Sequence, residues 1–196
     1  MARPPPSPEM ERRIPRQQRA QESCAAIFAA TAQVLAREGM AGLSTNHIAA
    51  RAGVSVGTLY QYFPNKQAVL LAMGRRDIAT LRQALASANG AEVLPRLLAC
   101  VRDWHGSRLV LRETVFSPPL HDELAAAVAT ATAPLVGPEA SAARHFVLAR
   151  AILGVVRGAV LEESAPLPEA LEPELRALVR GYLVPAAQWL RISGSS

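Results

Sequence analysis

Between Ser44 and Asn65 the sequence STNHIAARAGVSVGTLYQYFPN has room for two helices of about two turns each and nothing else regular. Ser44 has the side chain to cap a first helix running to about Ala52. Gly53 supplies the turn, Val54 fills the angle, and Ser55 caps a second helix. Phe63 precedes Pro64, a position that avoids helical backbone, so the second helix must stop there. Asn65 can then start a third. A helix, a tight glycine turn and a second short helix make a helix-turn-helix, whose second helix projects from the domain edge. On that helix Leu59 and Phe63 share one face, four residues apart, and turn inward. Gly57, Tyr60 and Gln61 fall on the opposite face, with Val56 at the boundary and Thr58 and Tyr62 at the rim.

The same stretch gathers residue types that are scarce elsewhere. Three of the nine aromatic residues, Tyr60, Tyr62 and Phe63, lie within four positions, and the only lysine of the chain is Lys66. Residues 1–66 hold eight cations against four acids, while residues 67–196 hold thirteen against twelve. The positive excess therefore belongs to the first third, which points to a polyanion. A duplex major groove admits one α-helix. A tyrosine ring can lie on a thymine methyl, hydroxyls reach phosphate oxygens, and a glycine lets backbone come close to base edges. Lys66, in the first turn of the next helix, stands where an ammonium and free backbone N–H groups can grip one phosphate.

The elements AIFAATAQVLAREGMAGL and STNHIAARAGVSVGTLYQYFPNK resemble the N-terminal domain of the TetR family of bacterial transcriptional regulators. The resemblance implies a homodimer that offers two helix-turn-helix units to a palindromic DNA operator. It also implies a C-terminal helical domain where a small molecule binds and releases DNA. Carried over by position, Thr45, Thr58, Tyr62 and Lys66 match phosphate contacts, and Asn46, Val56, Gly57 and Tyr60 match base contacts. Val56 departs from the long polar residue frequent in relatives and can offer methyl contacts only, which suits thymine.

The remainder also reads as all-α. Alanine and leucine dominate, no strand pattern appears, and Pro/Gly breaks cut the chain into helices near 16–39, 66–88, 91–105, 107–116, 119–135, 139–163 and 168–191. Gly39 is expected to end the first of these in a left-handed cap. Residues 1–15, with five prolines and three arginines, are expected to be a disordered tail, 16–66 the DNA-binding domain, and 67–196 the effector-binding and dimerisation domain. Cys24 and Cys100 read as small buried hydrophobes. No signal peptide is evident, and Arg150 and Arg157 interrupt the longest apolar run, so a soluble cytoplasmic protein without a membrane span is expected.

Segment 139–163 is apolar on nearly every side, and Gly154 and Gly158 would let another helix approach. With the apolar stripe of the last helix it predicts a four-helix dimer interface built on Ile152, Gly154, Val155, Gly158, Leu178, Tyr182 and Trp189, with Pro185 kinking the last helix. Polar and aromatic residues within apolar stretches, Trp104, His105, Arg108, Phe116, His121 and His145, with Arg150 and Arg157, are the candidates for a pocket taking a hydrophobic or aromatic effector. The four histidines lack metal-ligand spacing and no cofactor motif is present, so neither metal nor cofactor is expected. No nucleophile–base pairing or phosphate loop supports an enzyme. A constitutive DNA-binding dimer without effector is the nearer alternative.

Overall fold

The structure, a computed structural model, describes residues 16–103, 108–137, 139–162 and 168–183. The expectation for residues 1–15, Trp104 and His105, and Pro185 and Trp189 fall outside them. Nine α-helices and two short 3-10 turns account for the regular structure among the described residues.

Helix α1, Arg16–Gly42, packs Ile27, Thr31, Val34 and Leu35 inward. Gly39 does break it, with φ 66° but ψ −168°, so the residue is not in a left-handed cap and a last helical turn follows before Leu43. Helix α2, Thr45–Ala52, is capped by Ser44, which accepts from the His47 N–H, and closed by Gly53 in the left-handed region. Helix α3, Val56–Tyr62, is capped by Ser55 and stopped by extended backbone at Phe63 (φ −137°, ψ 117°). Helix α4, Lys66–Ala86, begins at Asn65, which accepts from the Ala68 N–H at 2.9 Å.

Helices α5 (Val93–Asp103), α6 (Arg108–Glu113), α7 (His121–Val136), α8 (Ala142–Leu161) and α9 (Pro168–Leu183) follow. Local chemistry moves their ends from the expected ones. A 3-10 turn at Gly90–Glu92, held by an Asn89–Glu92 capping box, delays α5 to Val93. Helix α6 ends at Glu113, three residues early, in a turn where the Phe116 N–H bonds to Leu111 O. Pro118–Leu120 forms a second 3-10 turn before α7, and Ser141 caps α8 at Ala142.

Two apolar clusters result. One, from Ile27 to Met73, joins α1, α2, α3 and the first half of α4, and Val110 of α6 enters it. The other, from Ile78 to Val179, joins the second half of α4 with α5, α7, α8 and α9. Each fully buried Leu or Ile contributes about 1.5–3 kcal/mol. Helix α4 is the wall they share, and Gly74 marks where it changes sides. A Cβ there would collide with the Leu120 side chain and lie 3.0 Å from the Thr114 carbonyl carbon, so only glycine lets the helix cross so closely. Just beyond, the Arg76 guanidinium stands 4.8 Å over the Phe28 ring, tying α4 back to α1.

Candidate nucleic-acid interface

Helix α3 is too short to persist alone. Leu59 is fully buried, and Phe63 lies 5.6 Å from the Phe28 ring at a tilted angle, so α1 holds α3 from beneath. Gly53, Ser55 and the backbone bond from Val54 N–H to Ala49 O (3.1 Å) fix the angle to α2. Anchoring one face leaves the other in solvent. Tyr60 is 52% exposed and Val56 37%, and Gly57 and Gln61 lie beside them.

Gly57 has no internal reason to lack a side chain. A Cβ there would find only the Ser55 Oγ, at 3.8 Å. The Tyr60 hydroxyl lies 3.2 Å from the Thr45 Oγ1, so these two residues meet at one edge of the motif. Thr58 is half-buried and its hydroxyl is 2.8 Å from the Ser55 Oγ that caps α3. Tyr62 is also half-buried, its ring 6.4 Å from Phe63, and it packs on the N-terminal cluster. Asn46 is exposed at the start of α2.

Lys66 differs from its expected setting. Its Nζ donates to Leu43 O at 2.9 Å, binding the start of α4 to the turn before α2. An ammonium has three donors, so two remain for an outside acceptor. A cation in the first turn of a helix opposes the dipole, which an anion bound there would relieve.

His47 was not singled out by its sequence position. Its Nδ1 lies 3.1 Å from Gly42 O and 3.3 Å from the Glu38 carboxylate, clamping the same turn that Lys66 holds. Arg51 is tied to α1 through Gln33 at 2.8 Å. Burial pushes the Cys24 thiol pKa up, which keeps it protonated and unreactive.

In the C-terminal half three of the described pocket candidates, His121, Arg150 and Arg157, meet, while the others stand apart. Phe116 is buried in the core, beside a void of about 10 Å3. Arg108 donates to Glu162 O at 3.0 Å, and His145 turns its Nδ1 to Ser141 O in the first turn of α8. His121 lies between Arg150 and Arg157, with one guanidinium 2.9 Å from each ring nitrogen. Ligand-sized space among the described residues lies elsewhere, in a groove of about 410 Å3 between α4 and α7 and in a shallower one of about 340 Å3 along α9 by Glu172, Arg176 and Arg180, both lined by none of these residues.

The expected interface residues divide. Ile152 is fully buried in the core of the single chain, so a partner cannot reach it. Val155 and Tyr182 are half-buried, Gly154 faces open space, and Leu178 is exposed on α9. Phe146, 61% exposed, and Val147, also exposed, extend the apolar face along α8.

Among the described residues no group of three or more His, Cys, Asp or Glu could hold a metal ion, and no helix is long and apolar enough to cross a membrane. Residues 27–73 match the family model described as bacterial regulatory proteins, tetR family. A TetR-family transcriptional regulator from Streptomyces coelicolor superposes with a TM-score of 0.60 at 23% identity, covering 82% of this chain and 97% of that one. The fatty acid degradation regulator FadR from Bacillus halodurans gives 0.57 at 21% identity, covering 83% and 96%. NalD, the secondary repressor of the MexAB-OprM multidrug efflux pump in Pseudomonas aeruginosa, gives 0.59 at 17% identity, covering 86% and 98%. These likenesses show the fold. No curated protein matches the chain.

Proposed function

We propose that this chain, a TetR-family regulator by its N-terminal match and its fold, binds operator DNA as a cytoplasmic homodimer and represses transcription until a small apolar molecule releases it. One observation carries the reading. Helix α3 presents Gly57 and Tyr60 to solvent although packing within the chain requires neither. Placed in a major groove, Gly57 lets the helix backbone approach the bases, while Asn46, Val56 and Tyr60 read their edges. Thr45, Thr58, Tyr62 and the two spare donors of Lys66 hold phosphates on either side. No enzymatic step belongs to this reading.

The dimer is built on the bare face of α8 and α9. Gly154, Leu178, Phe146 and Val147 supply contact that one chain leaves open, with half-buried Gly158 one turn further along α8. Two-fold symmetry would then set the α3 helices about 34–36 Å apart, one turn of duplex. Light scattering at micromolar concentration should give the mass of two chains.

Apolar effectors fit the alanine-rich groove between α4 and α7, and NalD is by name a repressor of a multidrug efflux pump. The 10 Å3 interior void favours a second reading, a dimer that binds DNA without an effector. A gel shift with the DNA flanking the gene tests the common core of both. Sequence-selective binding that weakens steeply with salt is expected, and no binding at low salt would overturn it.

A further inference from the structure

We infer that the groove between α4 and α7 binds an apolar molecule carrying one carboxylate. This names the ligand class of the effector-responsive regulator proposed above, and it rests on that reading only for its consequence at DNA.

Volume and lining together place the site, since the space of about 340 Å3 along α9 is walled by Glu172, Arg176 and Arg180 and offers no apolar bed. The groove holds about 410 Å3, within the range of about 300–1,000 Å3 found for small-molecule sites. The void among Leu97, Phe116 and Val156 holds about 10 Å3, roughly one water-sized probe. The groove is also framed at both ends. At one end Glu123 joins the helices: its carboxylate takes Arg75 at 3.0 Å and its backbone oxygen takes Arg82 Nη2 at 3.3 Å. At the other end the backbone of Gly90 presses on α7 so closely that a Cβ would stand 3.1 Å from the Leu135 side chain. Between these contacts both helices carry small residues. Ala127 and Ala131 face Leu85 across the gap, with Pro134 at the far side. Methyl walls of this kind form an apolar bed that leaves room for a ring or chain.

Charge selects the occupant. Arg82 lines the groove, and no acidic side chain is among the lining residues. The Glu123 carboxylate is engaged with Arg75, so only its backbone oxygen meets Arg82. A guanidinium has five N–H donors in a planar fork, and a carboxylate entering beside the apolar bed can take two of them together. Thr130, also lining the groove, donates its hydroxyl proton to Ala126 O at 2.9 Å. Its proton is thus used within α7, and Arg82 is the charged donor among the lining residues.

The test is a titration of the full chain with 2-naphthoate, followed by its fluorescence without DNA, with uncharged 2-naphthamide as control. Naphthoate should bind saturably, one per chain, and the amide at least about tenfold more weakly. Arg82→Gln should lower naphthoate affinity about tenfold and leave the amide unchanged. Ala131→Leu fills the bed and should remove binding of both, with circular dichroism checking the fold. Arg82 is exposed, so its variant keeps the test sharp should the filled variant misfold. Absent saturable naphthoate binding, or equal affinity for naphthoate in the wild type and Arg82→Gln, overturns the inference. A chain that binds naphthoate but no DNA sinks the regulator reading and leaves this one standing. A chain that binds its operator but not naphthoate does the reverse.

Discussion

The helix-turn-helix and the helical body behind it expose their surfaces for different reasons. Around α3 a few short bonds decide what faces outward. Ser44, Ser55 and Asn65 each accept one backbone N–H of the helix they start, Gly53 turns the chain, and Leu59 and Phe63 pin one face. What remains, Tyr60, Val56 and Gly57, is exposed because the motif has no other way to fold. In the body, large helices cover one another, and what stays bare is the leftover of packing: Phe146 and Val147 on α8, Leu178 on α9, and Ala86 and Ala126 at the α4–α7 groove. Exposure is specified in the first region and permitted in the second.

Four substitutions can break or sharpen that contrast. Leu59→Ala should cost the most, about 2–5 kcal/mol by chemical denaturation, because it empties a fully buried site under α3. Gly74→Ala comes next. A methyl forced against Leu120 and the Thr114 backbone should destabilise the fold by about 1–3 kcal/mol. Should Gly74→Ala be neutral, the crossing of the two cores is looser than its geometry implies. Tyr60→Ala should leave the melting temperature nearly unchanged while costing about 1–3 kcal/mol of discrimination between operator variants in a binding competition. Smallest in the free chain is Gly154→Ala. With open space at its Cβ it should gain up to about 1 kcal/mol of helix stability, yet shift light scattering toward monomer. A stable, unchanged dimer would remove Gly154 from the interface.

Much of the first region was legible because its signals are local. A cap and its N–H acceptor lie three residues apart, as Asn65 and Ala68 do, and a proline announces itself to its neighbour at Phe63. The Lys66 bond to Leu43 spans 23 positions and left no trace in spacing. His47 is similar, since its partner is a carbonyl in a turn whose course depends on Gly39. In the body the sequence conveyed helix count and apolar faces but not which faces meet. Ile152 looked no different from Val155, yet one is core and the other half-open. The candidate histidines and arginines do not line the groove between α4 and α7, most of whose lining is residues too small to notice. Alanines have no chemistry to flag, and the groove is theirs.

Because α4 walls both clusters and crosses between them at Gly74, neither half can come apart without stripping the other of a side. Melting should therefore proceed as a single all-or-none transition, the same by calorimetry and by spectroscopy, and the reading head would be only as durable as the body that carries it.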